Sequence, residues 1–141
     1  MSVPAELAIF RLELPDGSLV FQRRTHDAPS SPGRLGFFGG HLDSGESPAA
    51  AAARELREET SLRGYDDAIT SLGLIVVPKG IGVFRKVNLF GLAIPDANFE
   101  VYEGVGAESF SITEALKRDD LAQTVRFILE KEQGEMDVQP D

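Results

Sequence analysis

The chain has 141 residues, 42% of them hydrophobic, enough for one domain around a single core and too few for two. The absence of cysteine excludes disulfides, thiolate zinc sites and a cysteine nucleophile, and it fits a reducing compartment. A formal net charge of −9 argues against nucleic-acid polymers, whose binding rests on Lys and Arg neutralising phosphates, yet a small anion remains acceptable if a divalent cation and a few local bases offset its charge.

No apolar run is long enough to span a membrane, and Glu6, Arg11 and Glu13 interrupt a first segment that lacks the basic start of a signal peptide. The expectation is a soluble cytoplasmic protein, one domain over residues 1–141, fraying after about residue 134. Glu6 to Leu14 and Leu19 to Arg23 read as a β-hairpin about Pro15-Asp16-Gly17-Ser18. Thr25 to Gly33 is a turn-rich loop leading to a short strand, Arg34 to Phe38, which Gly39 and Gly40 are expected to break. Ser47-Pro48 is a helix start, because a serine oxygen caps free N–H groups and proline suits the first helical position. The helix should reach about Thr60, with Ala49, Ala52, Ala53, Leu56 and Thr60 on its packed side. Strands at Ile69 to Val77 and Val83 to Ile94, joined by a Pro78-Lys79-Gly80 turn, should follow. A short helix near Thr113 to Lys117 and a longer one from about Leu121 to Glu132, with Val125, Ile128 and Leu129 as its apolar stripe, complete the chain.

The informative segment runs from Gly40 to Leu62. At 100° per residue Glu55, Glu58 and Glu59 share a helix face, and their side chains are expected to converge. Like charges so spaced destabilise a helix by a few tenths of a kcal/mol, and Glu58 and Glu59 also lie near the negative end of the dipole. Local stability does not explain them. A hard divalent cation does, because Mg²⁺ takes oxygen ligands and can bridge carboxylates to phosphate oxygens.

Gly40, Glu46, Arg54, Glu55, Leu56, Glu58, Glu59 and Leu62 fall in the register G-x5-E-x7-R-E-U-x-E-E-x-G-U, where U is aliphatic. The segment resembles the Nudix box, and only its second glycine departs, being Ser61. An accidental match to six fixed positions is on the order of one in ten thousand or rarer for a chain of this composition. The resemblance implies an α/β fold of the Nudix type, an α/β/α sandwich with a mixed β-sheet carrying a loop-helix-loop catalytic motif. It also implies Glu55, Glu58 and Glu59 as metal ligands with the backbone of Gly40 nearby, and Arg54 paired with Glu46 to hold helix and loop together. Mg²⁺ is the implied cofactor, with Mn²⁺ as a substitute. At Ser61 the helix should end, with the backbone turning left-handed at about 1 kcal/mol for its Cβ; the alternative is a helix that continues or ends differently with Ser61 right-handed.

Phosphoanhydride cleavage also needs a base. Glu103, in a glycine-flanked loop where family members similarly place a glutamate, joins Glu55 and Glu58 as a catalytic candidate, with Glu100 and Glu108 as competitors. Arg23 and Arg24 are candidate phosphate contacts, since guanidinium matches phosphate oxygens in a fork. Lys79, Arg85 and Lys86 read as surface charges, His26 and His41 as loop residues, and Phe37, Phe38, Phe84 and Phe90 as core or a stacking ring. The implied activity is hydrolysis of a diphosphate linkage in a nucleoside triphosphate or other nucleoside-diphosphate derivative, resembling the MutT-like nucleotide branch. The partner is a small-molecule nucleotide rather than a polymer or a membrane, and a homodimer is left open. The alternative is a non-catalytic nucleotide-sensing or partner-binding module, although such modules usually lose box glutamates. An isopentenyl-diphosphate isomerase relative is disfavoured by the missing cysteine.

Overall fold

The computed structural model describes residues 6–137. Strands β1 (Glu6–Glu13) and β2 (Leu19–Arg23) form the expected hairpin, closed where Gly17 (φ +88°) turns and the Asp16 carboxylate accepts the Ser18 N–H at 2.9 Å. Strands β3 (Leu35–Gly36) and β4 (Phe38–His41) follow the loop. Gly39 and Gly40 do not break the chain here, contrary to the sequence expectation. They lie inside β4, which pairs antiparallel with the first half of β1, Ile9 opposite Gly39 and Ala8 opposite Gly40. A Cβ on Gly39 (φ +134°) would stand 2.3 Å from the Ala8 carbonyl oxygen, so only glycine lets the two backbones approach this closely.

Strands β5 (Thr70–Gly80) and β6 (Val83–Ala93) form the second hairpin. Its turn is Ile81-Gly82 and not Pro78-Lys79-Gly80, which stay in β5 beside a register shift. Proline is tolerated there because β5 is an edge strand. Strand β6 runs parallel to β1 from Lys86 to Ala93, along all of β1, giving the sheet order β3-β2-β1-β6-β5, with β4 on β1. A further strand, β7 (Gly106–Phe110), for which the sequence pattern gives no element, adds to β2 antiparallel.

Alternation along β1 divides the core. Ala8, Phe10 and Leu12 face helix α1 (Pro48–Glu59), packing with Ala51, Ala52 and Leu56. Leu7 and Ile9 face helix α3 (Gln123–Asp137), packing with Val125, Ile128 and Leu129, while the short helix α2 (Ile112–Leu116) starts in a Ser111–Glu114 capping box. Helices on both faces of a mixed sheet make the expected sandwich. Helix α3 runs through Gly134 to Asp137, beyond the expected end near Glu132, and residues after 137 lie outside the described part.

Ser47 caps α1 as expected, accepting the Ala50 N–H at 3.1 Å. The buried face differs. It consists of Ala51, Ala52, Glu55, Leu56 and Glu59, whereas Ala49 is exposed. Two of the three clustered glutamates therefore belong to the packed side. The helix ends on an extended Thr60 (φ −138°), and Ser61 is not left-handed: Ser31 is the one non-glycine residue with positive φ among the described residues. Residues 60 and 61 pair instead with 100 and 101, as an extra length of strand.

Candidate active site

Helix α1 crosses β4, and glycine decides how closely. A Cβ on Gly40 would lie 2.7 Å from Glu55 Oε1, so the bare backbone leaves the space that the carboxylate fills. One turn on, Glu59 is only 2% exposed. Its Oε2 accepts the Gly39 N–H at 2.7 Å, and its Oε1 lies 3.4 Å from the Gln22 amide nitrogen.

The loop carrying Glu103 is fastened to the same point from two sides. The Tyr102 N–H donates to the Glu59 carbonyl at 2.7 Å and Val105 N–H to the Arg23 carbonyl at 2.8 Å. Gln22 Nε2 donates to the Glu103 carbonyl at 2.9 Å. Gly104 (φ +89°) allows the turn, since a Cβ there would meet the Arg23 carbonyl oxygen at 2.6 Å. The Glu103 carboxyl is thereby brought within electrostatic reach of that of Glu59. Gln22, Arg24, Gly39, Glu59, Glu103 and Gly104 line a cavity of about 240 Å³ between helix, strand and loop.

Burial pushes the Glu59 carboxyl up to about 9, aided by the charges of Glu55 and Glu103 and opposed by the Gly39 N–H. Burial also raises Glu55, against the pull of Arg54. Arg54 organises the outer side. It grips Glu46 with a two-bonded fork at 2.8 and 2.9 Å, and reaches Glu55 at 2.9 Å, Glu58 at 3.1 Å and Asp43 at 3.4 Å. Its guanidinium holds Glu46 down to about 2, and Arg54 itself is raised in return. Glu58 is exposed, and its carboxylate is occupied by the same Arg54 nitrogen that meets Glu55. The expected convergence of Glu55, Glu58 and Glu59 is therefore incomplete, and no three acidic or histidine side chains among the described residues already close around one point. What the fold does supply is Glu59 acted on by the charges of two neighbouring carboxyls, Glu55 and Glu103. All three are hard oxygen donors, two of them buried, beside the Gly39-Gly40 backbone, and their chemistry fits a divalent cation.

Residues 4–80 match the model of the NUDIX domain. The chain belongs to the Nudix family. Its fold is shared with a MutT protein from Methanosarcina mazei Go1 (TM-score 0.77, 18% identity, 96% of this chain and 97% of that one). A mutT/nudix family protein from Listeria innocua aligns with TM-score 0.71 and 22% identity, covering 96% of each chain. The NUDIX domain of Shewanella oneidensis NrtR, complexed with ADP ribose, aligns with TM-score 0.72 and 14% identity over 96% of this chain and 90% of that one. No curated protein matches. The protein is a Nudix hydrolase acting on nucleoside-diphosphate derivatives, in a family that generally uses divalent metal ions.

Outside the Nudix box the two adjacent arginines part ways. The Arg23 guanidinium is engaged on all sides, bound to Glu108 at 2.7 and 3.0 Å, Asp120 at 3.0 Å and the Gly33 carbonyl at 3.0 Å. Arg24 lines the cavity and forms no ion pair among the described residues, its Nε donating to the Ser30 carbonyl at 2.8 Å. Glu108 is thus a structural partner on β7, and Glu100 is exposed. Phe38 and Phe90 are core. Gln22, which bridges Glu59 and the Glu103 loop, escaped the sequence reading. A buried polar residue in the apolar run Leu19-Val20-Phe21 was its only signal.

Proposed function

We propose that this Nudix hydrolase is a Mg²⁺-dependent diphosphatase, with Mn²⁺ as a substitute, cleaving the diphosphate linkage of a nucleoside triphosphate or nucleoside-diphosphate derivative. The observation that carries the reading is Glu59, a carboxyl buried against two others and pushed up to about 9, a costly arrangement that a bound cation would offset. Glu55 and Glu59, with the Gly40 backbone, would hold the ion, and Glu58 would join by exchanging its Arg54 contact. Once bound, the cation offsets charge on the phosphate oxygens and acidifies water. Glu103, exposed at the cavity and tied to β2, is the acceptor for the proton of the attacking water, with Glu55 as the competing base. Arg24 supplies a guanidinium to the phosphates, the part that Arg23 is too engaged to play. Arg54 and Glu46 act as positioning residues.

The test is phosphate release from a panel of nucleoside triphosphates and nucleoside-diphosphate compounds, ADP ribose included, with and without Mg²⁺ and with added pyrophosphatase. Metal-stimulated release from at least one compound is expected. Release from none would overturn the reading.

A further inference from the structure

On the α3 side of the sheet a second cavity of about 160 Å³ opens beside Gly39. Arg24 lies on one wall and Arg85, from β6, on another, with Ile9 and Phe37 at the base and Thr124 of α3 at the edge. Arg85 is half-buried and forms no ion pair among the described residues. Its one hydrogen bond there is a long one to Thr124 Oγ1, 3.4 Å, and its buried Nε has no partner. Burial and the positive charge of Arg24 both lower its pKa, and no carboxylate acts against them. In a chain of net charge −9, two arginines thus face one cavity with no carboxylate between them. Leaving a buried Nε unpaired and a half-buried guanidinium without a counterion is costly, and structural stability gives no reason for it.

We propose that this cavity receives a phosphomonoester of the substrate at Arg85, across the cavity from Arg24, which stays with the diphosphate, so that the compound cleaved carries a further phosphate. The assignment rests on the hydrolase reading above and narrows it to a substrate class. Guanidinium is the group that matches phosphate oxygens in a fork, and the cavity also borders the first turn of α3, the positive end of a helix dipole. Arg24 and Gly39 line both cavities, so the two are adjacent. Strand β6 is separated from β4 by β1 alone. Two strand spacings amount to roughly 10 Å, which one sugar or nucleoside unit can span.

Two measurements test the subsite separately from the chemistry. The first titrates the metal-free protein, in chelator, with inorganic phosphate. Arg85→Gln is expected to weaken binding at least about tenfold and Arg85→Lys less, whereas Arg57→Gln, on the exposed Arg57–Asp66 pair, leaves it unchanged. The second compares kcat/KM for pairs that differ by one phosphomonoester, NADPH against NADH and coenzyme A against its 3′-dephospho form. A preference of about tenfold or more for the phosphorylated member, carried mainly by KM and reduced to near unity in Arg85→Gln, is expected. Equal rates within both pairs, or a preference that survives Arg85→Gln in protein of parental melting temperature, overturn the assignment. So does phosphate binding that is absent or indifferent to Arg85. If no compound in any panel is hydrolysed, the hydrolase reading fails and the phosphate titration alone decides the subsite.

Discussion

The Ser61 hydroxyl accepts the Glu100 N–H at 2.8 Å, and the Ser61 N–H donates to the Glu100 carbonyl at 3.0 Å. This two-bonded clasp joins the end of α1 to the segment that carries Glu103, three residues on. Glycine, which the Nudix pattern has here, would remove the hydroxyl and add backbone freedom without relieving any left-handed strain. Ser61→Gly is expected to lower stability by roughly 1 kcal/mol and turnover by a few-fold, with Ser61→Ala showing the hydrogen-bond part alone. Denaturant midpoints check this: a higher midpoint for Ser61→Gly would mean the helix end has been misread.

Glu59→Gln should act in opposite directions on activity and stability. Turnover is expected to fall at least about 100-fold, because a carboxylate for the metal becomes a neutral amide. Stability follows from linkage. Below about pH 4.5 Glu59 is protonated folded and unfolded and contributes nothing; between there and about 9 only the unfolded chain releases its proton, so stability is lost progressively as pH rises. The metal-free variant should therefore melt above the parent by an amount that grows from pH 5 to pH 8.5, reaching on the order of 2 kcal/mol at neutral pH. Calorimetry in chelator at three pH values measures it, and a gap independent of pH would sink the burial account.

Glu103→Gln should lower turnover by about 100-fold if its carboxylate takes the proton, whereas Glu100→Gln should be close to parental because that side chain does not line the cavity. Glu108→Gln should reduce stability with little change in turnover, since it weakens the Arg23 pair. Steady-state rates at saturating Mg²⁺ discriminate. Equal small effects at Glu100 and Glu103 would return the base to Glu55.

What was legible in the sequence was whatever depends on neighbours in the chain. The Ser47 cap, the box register, the first hairpin and the α3 stripe follow from local pattern, as does the sandwich that those elements imply. What was not legible depends on through-space partners. Gly39-Gly40 looks like a break because glycine weakens strands, until β1 arrives so close that no Cβ fits. Residues 106–110 carry no strand signal because a single large apolar residue, Phe110, marks them; β2 and the Arg23–Glu108 pair make them a strand. Helical geometry placed Glu55, Glu58 and Glu59 on one face, but it carried no information about Arg54 occupying the Glu58 carboxylate or about the loop bringing Glu103 in.

Arg23 provides the last contrast, because its role is set by partners 85 and 97 residues away. With two carboxylates on one guanidinium, Glu108 is held below its ordinary range chiefly by Arg23, and Asp120 by Arg118 and then Arg23. Groups with depressed folded values contribute stability that is present above their unfolded pKa and lost as pH falls through the folded one. Side-chain exposures of 21%, 38% and 26% for Arg23, Glu108 and Asp120 mean that solvent screens the pair. Arg23→Gln is expected to cost about 1 to 2 kcal/mol at pH 7, nearer the surface than the buried limit for ion pairs. The difference from the parent should shrink below about pH 4, as Glu108 and then Asp120 take up protons. Turnover should stay within a few-fold, whereas Arg24→Gln should leave the melting temperature unchanged and reduce kcat/KM about tenfold or more. Urea midpoints at pH 7 and pH 3.5, with rates for both variants, decide it: a large loss of turnover in Arg23→Gln at parental stability would put Arg23 back on the phosphates.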